Sequence, residues 1–281
     1  MKKCIITGSN SGIGKAAAQK LAEKGCTVVL ACRNLAAAEK TRDEIIQSTG
    51  NQNVYAMRVD LSLIADVKNF VKEYTEKYGS LDILINNAAD FDLSRKSPLI
   101  TTENNETQFA TNHLAPFTLT NGLLPLLKKS DDGRIINIAS QGLVLYPNIQ
   151  FDFDNIKGQK NYSPAKTYYQ TKLAQLMFSI SLKEKLGKTN VSVYAVRVTN
   201  VKIDINRYPN LSPFMKSLYK MKSRFSISPE QMAKVYVELA IGEKQAGFYY
   251  DEKLKEVRAN KYAYNKDARD KLWQLSENLT K

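Results

Sequence analysis

Four times in this sequence a tyrosine stands four residues before a lysine: Tyr162 and Lys166, Tyr168 and Lys172, Tyr249 and Lys253, Tyr262 and Lys266. On a helix such a pair shares one face, one turn apart. An ammonium at that distance favours a phenolate, which equips tyrosine to act as an acid near neutral pH. Spacing alone does not choose among the four, because with 15 tyrosines several matches arise by chance. The surrounding elements decide. Ser163-Pro164 reads as a helix N-cap followed by proline at the first helical position, which leaves Tyr162 outside the helix. Tyr249/Lys253 and Tyr262/Lys266 fall in charged segments near the C-terminus and are expected beyond the sheet. Tyr168 lies within a helical pattern, and its neighbour Tyr169 has Leu173, not lysine, at plus four. Tyr168 with Lys172 is the candidate acid.

The elements that position this pair follow from hydrophobic patterning. Short, β-branched apolar runs occur at 3–8, 27–32, 53–60, 81–86, 134–140 and 191–198. Helical patterns over 13–24, 35–48, 63–78, 103–128 and 165–186 separate them. Strands alternating with helices predict an α/β fold: a single doubly wound parallel sheet flanked by helices on both faces. The near-continuous apolar character of the strands fits burial on both sides. Neither a Pro/Gly-rich linker nor a solenoid-type repeat divides the chain. Residues 1–281 are therefore read as a single domain, with a dinucleotide-binding core over about 1–200.

Composition narrows the function classes. Of 281 residues, 43% are hydrophobic and 25% charged, as in ordinary globular proteins. The chain lacks an apolar run of about 18 residues, so a transmembrane segment is not expected. The start, "MKKCIITGSN", reads as a first strand rather than a signal peptide. Cys4, Cys26 and Cys32 lie in or beside apolar segments, which points to a reducing, cytoplasmic location without disulfides. A single histidine argues against a His-ligated metal or a His-based triad. The formal charge of +13 comes from lysines spread along the chain and interleaved with acids, so nucleic acid is not expected as a partner. A homo-oligomer is compatible with this reading.

The first strand runs into "TGSNSGIGK". Gly8, Gly12 and Gly14, with Ser9, Asn10, Ser11 and Ile13 between them, form a turn leading directly into a helix. Glycines allow a tight turn and close backbone approach, and helix N-terminal amides receive a pyrophosphate. The spacing G-x-x-x-G-x-G differs from G-x-G-x-x-G, but its place after the first strand of a βαβ unit supports the same use. The second strand ends at Arg33-Asn34. An acid there suits a ribose 2′-hydroxyl, whereas arginine suits a 2′-phosphate. NADP(H) is the preferred cofactor on this reading, with NAD(H) the alternative.

In these residues the chain resembles the short-chain dehydrogenases/reductases along nearly its whole length. The motifs are Thr7 to Gly14, Asp60-Leu61, "NNAA" at 86–89, "NHLAPF" at 112–117, "INIAS" ending at Ser140, and Tyr168/Lys172. The "ACRN" end, the segment from Ser140 to Tyr168 and the ending "LWQLSENLT" resemble the retinol-dehydrogenase-like branch. The resemblance implies roles for each. Asp60 and Leu61 would border the adenine, Asn87 and Ala88 would lie along the cofactor, and Thr199 and Val201 would contact it. Ser140 would hold the substrate oxygen, Tyr168 would transfer its proton, and Lys172 would bind the nicotinamide ribose. Asn112 would support a water relaying protons to Lys172.

Two features depart from the family pattern. Val198-Thr199 stands where a Pro-Gly pair is usual after the sixth strand, and Ala89 stands where glycine is common. Beyond them, residues 201–226 are expected to cover the substrate, with 227–281 as a C-terminal extension. Leu211, Phe214, Met215, Leu218 and Phe225 recur there at helical spacing, which suits a lid over a hydrophobic carbonyl compound or a helix packed on the core. The leading function is an NADP(H)-dependent oxidoreductase acting on a small-molecule alcohol/carbonyl pair. The alternatives are the same chemistry with NAD(H), or a nucleotide-binding sensor that has lost turnover.

Overall fold

The computed structural model describes residues 1–202, 223–224 and 226–281. Leu211, Phe214, Met215, Leu218 and Phe225, the apolar positions of the expected lid, lie outside the described residues. Seven strands form one parallel sheet: β1 (Lys3–Thr7), β2 (Thr27–Cys32), β3 (Val54–Arg58), β4 (Ile83–Asn86), β5 (Gly133–Ser140), β6 (Val191–Val198) and β7 (Tyr249–Tyr250). Their order is β3-β2-β1-β4-β5-β6-β7. The chain steps outward from β1 to β3, then returns to add β4 on the other side of β1. That reversal opens a crevice beyond the carboxyl ends of β1 and β4, where doubly wound sheets bind ligands.

The alternation of side chains along each strand feeds two faces. Cys4, Ile6, Val28 and Leu30 enter a core with α1 (Gly12–Glu23), α2 (Leu35–Thr49) and α6 (Pro229–Ile241). Ile5, Val29 and Ala31 point the other way, into a core with α3 (Ile64–Tyr78), α4 (Ala115–Lys129) and α5 (Pro164–Leu186). Period-two alternation with both faces apolar is what makes these strands read as continuous hydrophobic runs. A third cluster packs α5 against α7 (Lys266–Leu279) through Leu173, Met177 and Leu272. Helix α5 is buried nearly all round from Thr171 to Leu182, so the segment carrying Lys172 is held on several sides.

The structure differs from the sequence reading at two places. Tyr249 lies in β7, hydrogen-bonded beside β6 and buried, not in a segment beyond the sheet. A two-residue strand leaves no periodic signal, and its extended backbone removes Tyr249/Lys253 from helical spacing. The expected helix over 103–128 is interrupted. A short turn at Thr107–Phe109 passes into a π-helical stretch at Ala110–Leu114 before α4 begins. Such bulges occur often at functional sites, and this one carries Asn112. The start of α5 is as expected: Ser163 caps it, Pro164 opens it, and Tyr162 stays outside.

Candidate active site

The turn after β1 is built around positions where a side chain would not fit. Gly8 and Gly12 have φ of 63° and 56°, conformations that residues with a Cβ rarely adopt. A Cβ on Gly8 would lie 2.9 Å from Ala88 Cα, and one on Gly14 would lie 2.5 Å from Asn87 Nδ2. Asn87 ties the turn to β4: its Nδ2 donates to the Thr7 carbonyl at 2.8 Å, and the backbone N–H groups of Asn87 and Ala88 donate to Thr7 Oγ1. Ser9 is fully buried and its hydroxyl donates to the Ile6 carbonyl at 2.8 Å. Its side chain therefore fastens the turn from beneath rather than facing the crevice.

The N-termini of the described helices are treated unequally. Asn34, Ser163, Ser228 and Asn265 place side-chain oxygens on the first amides of α2, α5, α6 and α7. Glu103 does the same for α3, accepting from the N–H groups of Ile64 and Ala65. Helix α4 continues from the π-helical stretch and needs no cap. Only α1, among these, begins with Ser11 making no side-chain cap bond. Its free amides point into the crevice with the partial positive charge of the helix end. Bare amides, a turn cleared of Cβ atoms and a large cleft together fit a dinucleotide pyrophosphate.

That cleft has a volume of about 1050 Å³ and runs the width of the sheet's carboxyl edge. Asn10, Ser11, Gly12, Ile13, Arg33 and Asn34 line one end, followed by Asp60, Leu61, Asn87 and Ala88. Ser140, Tyr168, Lys172, Thr199 and Val201 line the other. The Arg33 side chain is exposed at the rim and forms no ion pair among the described residues. Asn34 spends its Oδ1 on the α2 cap. Asp60 Oδ1 accepts from the N–H and hydroxyl of Ser62, and Leu61 is buried beside it.

At the other end, Lys172 is fully buried. Its Nζ donates to the Ile138 carbonyl at 2.7 Å and to Gln175 Oε1 at 3.2 Å, and lies 5.7 Å from the centre of the Tyr168 ring. Two of the three ammonium donors are thus occupied. Both acceptors are neutral, and burial drives the ammonium pKa down to about 7. Asn112 is buried as well. Its Nδ2 donates to the Asp90 carbonyl and to Thr171 Oγ1, each at 3.0 Å, while its Oδ1 accepts from the Asp90 N–H at 2.7 Å. The Asn112 side chain consequently ties the loop after β4 to α5, and does not line the cleft. Ser140 Oγ accepts from the Gly142 N–H at the end of β5.

Several contributors escaped the sequence reading. Asn86 Nδ2 donates to Asn137 Oδ1 and Thr120 Oγ1, Asn137 Nδ2 donates to Ser179, and Ser179 donates to the Gln175 carbonyl. This buried chain of polar groups ends on the backbone carbonyl of Gln175, the residue whose side-chain Oε1 accepts from Lys172. Asparagines inside otherwise apolar strands were the available signal, since a buried amide must find partners. The departure at Val198-Thr199 also resolves. None of the described residues after β6 needs a positive φ before Leu254. Thr199 Oγ1 donates to Gln141 Oε1 at 2.6 Å, and Val201 pairs with Ile227. A hydroxyl thus pins the strand end where the family usually turns on proline and glycine.

Comparison with known proteins identifies the lineage. Residues 2–151 match the family model for short chain dehydrogenase. The chain belongs to the short-chain dehydrogenase family. It is 34% identical over 278 residues to retinol dehydrogenase 12 of Mus musculus, covering 98% of this chain and 85% of that protein. Retinol dehydrogenase 14 of Homo sapiens is 32% identical over 294 residues, with the same coverage. Together these place the chain in the retinol-dehydrogenase-like branch. A short chain dehydrogenase from Shigella flexneri 2a str. 301, complexed with NADP, shares the fold with a TM-score of 0.67 at 21% identity, over 90% of this chain and 97% of that one. The protein is accordingly an oxidoreductase acting on CH–OH groups of small molecules, in a family that uses nicotinamide dinucleotides. None of the helices among the described residues is long and apolar enough to cross a membrane.

Proposed function

We propose that the protein interconverts an alcohol and an aldehyde or ketone with NADP(H), using Tyr168 as the general acid/base. The observation that carries this is the meeting of Ser140, Tyr168 and Lys172 in the same cleft as the uncapped α1 terminus. Gly8 to Gly14 would hold the pyrophosphate, Asp60 and Leu61 the adenine, and Asn87, Ala88, Thr199 and Val201 the remainder. The cofactor supplies the hydride. Everything else falls to the chain. Ser140 donates a hydrogen bond to the substrate oxygen as charge develops on it. Tyr168 gives that oxygen a proton in reduction and takes one in oxidation. An unperturbed phenol titrates near ~10, too high for efficient acid–base work at pH 7. The Lys172 ammonium favours the phenolate, and its remaining N–H is available to a ribose hydroxyl. Asn112 holds the π-helical stretch against Asp90 and Thr171, beside the route by which a relayed proton reaches Lys172.

Arg33, which forms no ion pair among the described residues, supports the phosphorylated cofactor, and the NADP held by the Shigella flexneri protein of the same fold agrees with it. NAD(H) is the second reading, carried by the exposure of Arg33, which leaves room for an unphosphorylated ribose. Residues 201–226 are assigned to cover the substrate within one domain, and the three free, buried cysteines support a cytoplasmic setting. The deciding experiment compares Tyr168→Phe with Tyr162→Phe. Removing the Tyr168 hydroxyl should abolish turnover across a panel of aldehydes and ketones while NADPH still binds, and the Tyr162 variant should stay within a few-fold of wild type. Turnover by Tyr168→Phe at the wild-type rate would reject the mechanism.

A further inference from the structure

We propose that Phe91 is a positioning and specificity-determining residue, held against Tyr168 by a clamp made of Asp90, Arg95 and Asn112. This rests on the assignment of Tyr168 as the acid. The Phe91 ring lies 4.3 Å from the Tyr168 ring, centre to centre, tilted by 48°. Tyr168 also meets the Tyr169 ring edge-on at 5.2 Å, and Tyr169 packs on Tyr146 at 4.7 Å. The space for Tyr169 exists because residue 142 is glycine: a Cβ there would lie 2.2 Å from the ring. Tyr168 therefore touches two aromatic rings, only one of which comes from its own helix. Phe91 comes from the loop after β4, which needs an anchor of its own to serve as a wall.

The anchor is visible. Arg95 clasps the Asp90 carboxylate with two hydrogen bonds of 2.6 and 2.8 Å, both side chains being largely buried. Its Nε lies 3.7 Å from Asp92, whose Oδ1 accepts from the N–H and hydroxyl of Ser94. The Asp90 backbone is held at both its N–H and its carbonyl by Asn112. A forked guanidinium–carboxylate pair fixes direction as well as distance. Phe91, the next residue, is thereby fixed on the rim of the cleft that also exposes Leu99, Val144 and Leu145. Offset aromatic contacts of this kind restrict ring rotation and exclude water from one flank. Substrates must then reach the Tyr168 hydroxyl along the side that Phe91 leaves open, and groups attached to the carbonyl carbon compete for volume with the Phe91 ring.

The test uses the full chain with NADPH and carbonyl compounds of graded size, comparing Phe91→Ala, Phe91→Leu, Arg95→Met and Arg95→Lys. With Phe91→Ala, kcat for a small aldehyde should fall about tenfold, the scale expected when a reacting group loses a fraction of an ångström of alignment. KM for a bulky branched ketone should fall at the same time, so that the preference between the two reverses, with NADPH affinity unchanged. Arg95→Met should shift the preference the same way, and Arg95→Lys should recover part of the wild-type pattern. Phe91→Leu, which keeps apolar bulk, reads the effect if the alanine variant folds poorly. An equal change for all substrates, or Arg95→Met lowering the melting temperature without altering preference, overturns the proposal. Tyr168→Phe run alongside separates the two levels. Full activity in that variant rejects the mechanism itself, whereas its inactivity with uniform Phe91 effects rejects only the wall.

Discussion

The two ends of the cleft solve opposite problems. At the β1–β3 end the protein leaves donors unmet: the α1 amides carry no side-chain cap, and Arg33 has no carboxylate partner among the described residues. At the β4–β6 end it spends several polar side chains on one another, through Asn112 with Asp90, Arg95 with Asp90, and Thr199 with Gln141. The first end must bind an anion it does not contain, so unsatisfied groups facing solvent are useful there and cost little while hydrated. The second must hold a few reactive atoms in fixed positions, and internal hydrogen bonds hold them. Lys172 stands at the seam. It is needed as a cation yet is buried between neutral acceptors.

That seam yields the largest effect. Burial puts the Lys172 pKa at about 7, below the ~10.4 of an unfolded chain. Between those values the unfolded chain binds more protons, so stability rises with pH. The contribution is complete above the unfolded value and is lost as pH falls to about 7. Its size is roughly 5 kcal/mol, at about 1.36 kcal/mol per unit of difference. Urea denaturation of wild type and Lys172→Met from pH 6 to 10 should show a slope in the first that the second lacks. Parallel curves would mean that the ammonium is better compensated than its two neutral acceptors indicate.

The open end breaks next. Gly14→Val puts branched carbon against Asn87 and the Gly8 carbonyl, at a cost of about 3 kcal/mol for overpacking, and should remove measurable NADPH binding. A variant that binds NADPH normally would show that the turn is not the pyrophosphate site. Arg33→Asp is gentler. A charge-assisted phosphate contact contributes about 1.5–3 kcal/mol, so NADPH affinity should fall roughly 10- to 150-fold with NADH affinity little changed. An unchanged ratio in parallel titrations favours NAD(H). Smallest is Thr199→Val at the self-satisfied end, which removes one hydrogen bond of about 1 kcal/mol. It should lower the melting temperature by a few degrees and leave NADPH affinity within a few-fold. A large loss of affinity would show that the hydroxyl serves the cofactor rather than Gln141.

Acid stability separates a third place, away from the cleft. His113 is stacked on Phe109, and its Nε2 shares a hydrogen bond of 2.8 Å with Ser276 Oγ of α7. Burial holds its pKa down at about 3, below the ~6.5 of an unfolded histidine. The unfolded chain takes up this proton first, so the contribution present above ~6.5 is lost as pH falls toward 3. His113→Phe should flatten the fall in melting temperature between pH 6.5 and 4, whatever it does to stability at neutral pH.

Residue type and period alone determined much of this protein. The apolar runs gave six of the seven strands, because burial on both faces demands continuous hydrophobicity. The glycines announced the turn, because few other residues accept those backbone angles so close to a neighbouring strand. Ser163-Pro164 removed Tyr162 from the helix and left Tyr168 to pair with Lys172, a decision made by local steric and capping chemistry. Tertiary structure decided the rest. Strand β7 is two residues long and exists only because β6 offers it an edge. The π-helical stretch at 110–114 depends on Asn112 finding Asp90 and Thr171, partners 22 and 59 positions away. The low pKa of Lys172 follows from how many elements close over it, and the contact of Phe91 with Tyr168 joins a loop to a helix 77 residues later. Spacing along a chain fixes what neighbours on one element can do; desolvation and contact between elements appear only once those elements have packed.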